Sequence, residues 1–170
     1  MVLSFVVVVV SRSFVSSPSI LQNFLFSEKS LNCLQREFYF SSNKKLLTNM
    51  LLIVEDDPML RELLRDWFLE VCDVVTAQNG KEAIQLYEQF ADKVKLIITD
   101  YEMPLCNGLE FLRWLCAKNN TIPVLVMTGR TLSDDEEREI RYLSSSKVLP
   151  KPFDLEQLSS VLKEICAARS

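Results

Sequence analysis

From Met50 onward the chain is punctuated by short apolar runs that stop abruptly at polar residues, and this constrains its fold more than any other feature. Leu51–Val54 stops at Glu55-Asp56-Asp57, Asp73–Ala77 at Gln78-Asn79-Gly80, and Val94–Ile98 at Thr99-Asp100. Pro123–Met127 stops at Thr128-Gly129, and Val148-Leu149 at Pro150-Lys151. Runs this short are not helices; bounded by turn residues and rich in Val, Ile and Leu, they read as buried strands. Between them the apolar period lengthens from two to between three and four. Leu60, Leu63, Leu64, Trp67 and Phe68 share one helical face, as do Leu109, Leu112 and Leu115, and Leu155, Leu158, Val161, Leu162 and Ile165. The segment with Ala83, Ile84, Tyr87 and Phe90 is a further helix.

The helix starts are written locally. Asp57 caps a helix whose first residue is Pro58, where a missing N–H costs nothing. Ser133 with Glu136 forms a capping box, Asp134, Asp135 and Glu137 suit that helix's positive end, and Asp154 caps the last helix. Five strands alternating with five helices imply a parallel sheet covered on both faces by right-handed crossovers. The expected fold is α/β, a doubly wound, flavodoxin-like five-stranded sheet of order 2-1-3-4-5.

In such a sheet the carboxyl ends of the strands share one edge, where ligands bind. That edge receives Glu55 and Asp56, Asp100, Thr128 and Lys151. Singly, each has a plainer role: a turn, a cap or a solvated charge. Together they form a set. Two carboxylates about 5 Å apart repel by about 3 kcal/mol at an effective dielectric near 20. A hard divalent cation relieves that repulsion, and an all-oxygen site suits Mg²⁺. Phosphoryl transfer to a carboxylate needs such a cation, a lysine and a hydroxyl donor on the moving oxygens.

Residues 50 to about 168 resemble the receiver domain of two-component response regulators. The likeness rests on I-V-E-D-D-P at 53–58, A-Q-N-G-K-E-A at 77–83, D-Y-E-M-P-x-x-x-G at 100–108, V-M-T-G at 126–129 and P-K-P-F at 150–153. The resemblance implies that Asp100 is the phosphoacceptor for a partner's phosphohistidine. It implies that Glu55, Asp56, Asp100 and the backbone carbonyl of Glu102 bind Mg²⁺, and that Thr128 and Lys151 hold the phosphoryl oxygens. It also implies a cis Lys151–Pro152 bond and a role for Glu102 and Arg130 in tuning dephosphorylation; their opposite charges suggest a pair across the site mouth. The implied partners are a sensor histidine kinase or a histidine phosphotransfer protein, and a downstream effector protein.

Two positions depart from the pattern. Val148 stands where receivers commonly carry a Tyr or Phe that moves inward on activation, and Ser144-Ser145 replace Gly-Ala. The phosphorylation chemistry survives both changes; the readout through the fourth helix, last strand and last helix is what they affect.

Composition excludes several alternatives. The chain has no histidine, so it is neither a histidine phosphodonor nor a His-based catalyst or zinc protein. Five scattered cysteines without a C-x-x-C pair fit a reducing, cytoplasmic setting. Residues 50–170 carry a net charge of −7 against +3 for residues 1–49, which disfavours non-specific nucleic-acid binding by the acidic part. An aspartyl-phosphate phosphatase would carry Asp, not Glu102, two residues after the nucleophile, and an FMN site would be repelled by Glu55-Asp56-Asp57. The expected protein is therefore a stand-alone receiver over 50–170 that is not an enzyme toward other substrates. The alternative is a phosphorylation-independent interaction module.

Residues 1–49 read as an extension, expected to be disordered. Val2–Val10 is too short to span a bilayer and lacks a preceding basic residue, so it is no ordinary signal peptide. Three origins stay open: a gene-start artefact with Met50 as the natural first residue, a transit peptide, or a membrane-associating tail.

Overall fold

The computed structural model describes residues 50–69, 72–143 and 146–167. The extension 1–49 and the Ser144-Ser145 departure therefore lie outside the described residues. The elements are β1 (Met50–Val54), α1 (Pro58–Leu69), β2 (Asp73–Ala77), α2 (Gly80–Phe90), β3 (Val94–Asp100), α3 (Gly108–Ala117), β4 (Val124–Thr128), α4 (Asp134–Leu143), β5 (Lys147–Pro150) and α5 (Leu155–Ala167). All strand pairs are parallel, in the order β2-β1-β3-β4-β5. This is the order expected from the alternation.

The period of two along each strand divides the core into two layers. Leu52 and Val54 of β1, Ile97 of β3 and Val124 and Val126 of β4 point to one face, packing with Ala83, Phe111, Leu112, Leu115 and Ile140 from α2, α3 and α4. Leu51, Ile53, Ile98, Leu125 and Met127 point to the other, against Leu60, Leu64 and Phe68 of α1 and Leu158, Leu162 and Ile165 of α5. Leu52, Ile53, Ile97, Ile98, Leu125 and Met127 are wholly buried. Each such side chain contributes about 1.5–3 kcal/mol relative to exposure.

Local signals position the loops at the carboxyl edge. Asp57 Oδ1 accepts the N–H groups of Met59 and Leu60, and Asp154 Oδ1 that of Gln157. Asn79 accepts from Glu82 N–H at the start of α2, and Asn107 forms a full capping box with Glu110 at the start of α3. Gly108 is required for packing. A Cβ there would lie 2.4 Å from the Asp100 carbonyl oxygen and 2.9 Å from Tyr101 Cα, both backbone atoms. The glycine N–H instead donates to Tyr101 O at 3.0 Å, holding α3 directly against the end of β3.

Candidate functional site

Register alone brings the site together. Val54 at the end of β1 pairs with Thr99, and Asp100 at the end of β3 pairs with Met127, so Glu55, Asp100 and Thr128 leave adjacent strands at one level. Thr128 in turn pairs with Pro150, which places Lys151 one residue beyond. The Lys151 N–H donates to Thr128 O at 2.6 Å and Tyr101 N–H to Met127 O at 2.8 Å, extending the ladder past the strand ends.

Lys151 Nζ reaches both buried carboxylates, Glu55 Oε2 at 2.9 Å and Asp100 Oδ2 at 3.0 Å. Its side chain is only 8% exposed, and those of Glu55 and Asp100 are 1% and 6% exposed. The Lys151–Pro152 peptide is cis, as the resemblance implied. Asp56 completes a group in which one oxygen from each of Glu55, Asp56 and Asp100 lies within 4.8 Å of the others. Glu102 sits at the mouth, its N–H donating to Asp100 Oδ1 at 3.3 Å. Thr128 is buried at the end of β4, but its hydroxyl serves the loop: it donates to Arg130 O at 3.0 Å and accepts the Arg130 N–H at 3.2 Å.

The electrostatics follow from that crowding. Burial first, and then the charge of Asp100, push the Glu55 carboxyl up to about 7, although Lys151 opposes both. Burial by itself would lower the Lys151 pKa; the charges of Glu55 and Asp100 overcome it and raise it. The two directions agree, because Lys151 faces two anions while Glu55 faces one cation, one anion and a dry wall. With all three carboxylates ionised beside the one ammonium, the cluster would carry two negative charges. An all-oxygen donor set of that charge fits a hard divalent cation.

Two features were not legible in the sequence. Arg61 Nη1 donates to the carbonyls of Glu55 at 2.6 Å and Asp56 at 3.2 Å, tying the acidic loop to α1 from the second helical turn. No local spacing rule marks that arginine. The second is a clamp at the opposite side of the mouth. Arg130 does approach Glu102, at 3.8 Å, but its closer partner is Glu136. Glu136 also accepts the Tyr101 hydroxyl at 2.8 Å.

Residues 51–163 match the family model of the response regulator receiver domain. The chain belongs to the response regulator receiver family. This receiver is 38% identical over 117 residues to the transcriptional regulatory protein CpxR homolog of Haemophilus influenzae, covering 68% of this chain and 49% of that one. It is 31% identical to an uncharacterized 14.6 kDa protein of Leptolyngbya boryana, covering 69% and 90% of the two chains. Among solved structures it resembles Vibrio cholerae CheY4, with a TM-score of 0.62, 26% identity and coverage of 69% of this chain and 98% of that one. The receiver spans about half the length of the CpxR-type regulators it matches. Relatives of this kind are regulators and not conventional enzymes. Among the described residues, no helix is long and apolar enough to cross a membrane.

Proposed function

We propose that residues 50–170 form a receiver whose Asp100 accepts a phosphoryl group from the phosphohistidine of a partner histidine kinase or phosphotransfer protein. The observation that carries this reading is the double reach of Lys151 to Glu55 and Asp100 inside a pocket that also holds Asp56. A carboxylate held by an ammonium beside two further carboxylates has the groups that in-line phosphoryl transfer requires.

Each residue then has a role. Asp100 supplies the nucleophilic oxygen. Glu55, Asp56, Asp100 and the Glu102 backbone carbonyl would hold Mg²⁺, whose charge would offset that of the phosphoryl oxygens. Lys151 keeps its hold on Asp100 and takes a phosphoryl oxygen, while the Thr128 hydroxyl turns to another. The acyl phosphate that results carries a charge of about −1.5 to −2 at the strand end, where the free carboxylate carried one negative charge. Its output is a protein–protein contact made by a cytoplasmic switch, since the acidic surface of 50–170 disfavours direct nucleic-acid binding.

A relay intermediate is the second reading, and Val148 favours it. This β-branched residue is half-buried in β5, paired with Val126, and cannot swing between rotamers as an aromatic ring would. Acetyl phosphate with Mg²⁺ tests the chemistry. The intact mass should rise by one phosphoryl group, and neither Asp100→Asn nor protein in excess EDTA should gain it. An unchanged wild-type mass would leave a phosphorylation-independent interaction module. Return of the label to a phosphotransfer protein would identify the relay.

A further inference from the structure

Three consecutive carbonyls of the acidic loop end on one residue, Arg61, in the second helical turn's reach of α1. Arg61 Nη1 donates to Glu55 O at 2.6 Å and to Asp56 O at 3.2 Å, while the Arg61 N–H donates to Asp57 O at 2.9 Å. The last of these is an ordinary opening bond of the helix. The first two are made by a side chain, and they bear on the carboxylate cluster.

The loop is anchored at both ends without Arg61. The Glu55 N–H donates to Ala77 O at 3.0 Å, and Asp57 caps α1 through the N–H groups of Met59 and Leu60. Asp56 lies between these anchors, past the last strand pairing of β1 at Val54, and is half-buried. The Glu55 carbonyl belongs to the peptide plane before the Asp56 Cα, and the Asp56 carbonyl to the plane after it. Each peptide unit is rigid, so fixing both carbonyls fixes the two dihedrals that aim the Asp56 side chain. That side chain brings an oxygen to within 4.8 Å of oxygens of Glu55 and Asp100, against the repulsion of like charges.

We propose that Arg61 is a positioning residue for the divalent cation: by holding the two peptide planes that flank Asp56, it keeps the Asp56 carboxylate gathered with those of Glu55 and Asp100. The inference rests on the proposed cation role of these three carboxylates. Its effect is opposite in sign to that of the arginine's charge. A guanidinium beside a cation site repels the incoming cation, so deleting the charge alone would tighten Mg²⁺ binding. Deleting a group that orients a metal ligand weakens it, by about 10–100-fold in typical sites.

Titration of the full chain with MgCl₂ at constant ionic strength, followed through the amide resonances of residues 55–57 and 100–102, separates the two effects. Arg61→Met should keep a cooperative urea transition and need about tenfold more Mg²⁺ for half-saturation. Arg61→Lys keeps the charge but ends one bond short of the Nη1 position, so it should weaken binding by about threefold or more. The lysine variant decides the matter if the methionine variant does not fold. Arg65→Met, which removes a charge from the same helix at a residue bonded to Glu62, should bind Mg²⁺ as wild type does. In acetyl phosphate reactions of Arg61→Met, the Mg²⁺ concentration giving half the maximal rate of mass gain should rise by the same factor as in the titration. The rate at saturation should stay within about twofold of wild type.

Wild-type or tighter Mg²⁺ binding in Arg61→Met or Arg61→Lys would overturn the proposal, as would equal weakening in Arg65→Met. A reduced rate at saturation with an unchanged half-saturating concentration would overturn it too. If the titrations give the expected pattern but no phosphoryl mass appears, the role of Asp100 falls and that of Arg61 stands. A wild type without any Mg²⁺-dependent shift would overturn both.

Discussion

Replacing Lys151 with methionine removes the ammonium that Glu55 and Asp100 share, while keeping the length and apolar stem of the side chain. Nζ lies 2.9 Å from Glu55 and 3.0 Å from Asp100, all three side chains being more than nine-tenths buried. Breaking a buried pair by deleting one partner costs about 3–5 kcal/mol, because an uncompensated charge stays behind. Proton uptake softens that cost. Glu55 is already raised to about 7 with Lys151 opposing the rise, so the variant's carboxyl titrates higher still. A carboxyl raised in the folded state binds more protons there than in the unfolded chain, so stability falls as pH increases through that window. The slope is at most about 1.4 kcal/mol per pH unit for each proton linked. Lys151→Met should therefore be about 3 kcal/mol less stable than wild type in urea titrations at pH 8 with EDTA. About half of that gap should close by pH 6, since wild-type Glu55 also gains a proton in that window, and Mg²⁺ should restore part of it at pH 8. A deficit that stays constant from pH 6 to 8, or no deficit at pH 8, would refute the account of a cation balancing two buried carboxylates.

Two further outcomes follow from the geometry. Gly108→Ala forces a Cβ to within 2.4 Å of the Asp100 carbonyl, so α3 must retreat and lose its bond to Tyr101; a loss of about 2–4 kcal/mol from overpacking and the broken bond should lower the urea midpoint at unchanged slope. The Glu102–Arg130 pair is 3.8 Å apart with both side chains more than two-fifths exposed, so a Glu102→Ala, Arg130→Ala double-mutant cycle on stability should give a coupling below about 0.5 kcal/mol, measured by urea titration.

The sheet was readable because each strand states its boundaries. Glu55, Asp100 and Thr128 interrupt apolar runs at the same depth, and the helix caps Asp57, Ser133 and Asp154 lie within three residues of the N–H groups they satisfy. Such signals are local, and so are visible in one dimension. Lys151 could be placed for the same reason, one residue past a strand whose order in the sheet follows from crossover handedness. The pairing of Arg130 was harder. Opposite charges at Glu102 and Arg130 pointed to each other, yet Glu136, six residues on, presents its carboxylate at the turn of a helix start and offers the closer contact. Arg61 and Tyr101 were invisible as site residues because their partners are backbone carbonyls and a carboxylate 35 positions away. Distances of that kind depend on how helices seat against the sheet, which no periodicity encodes.

The division of the core into two layers has its own consequence. Among the described residues, the hydrophobic side chains packed with α1 and α5 and those packed with α2, α3 and α4 form two separate clusters on opposite faces of the sheet. Substitutions such as Leu64→Val and Leu112→Val should then combine without epistasis, since energies add where sites share no contacts. Each layer also holds its own indole, Trp67 on one side and Trp114 on the other. The two flanks of the sheet are thus free to drift separately in sequence.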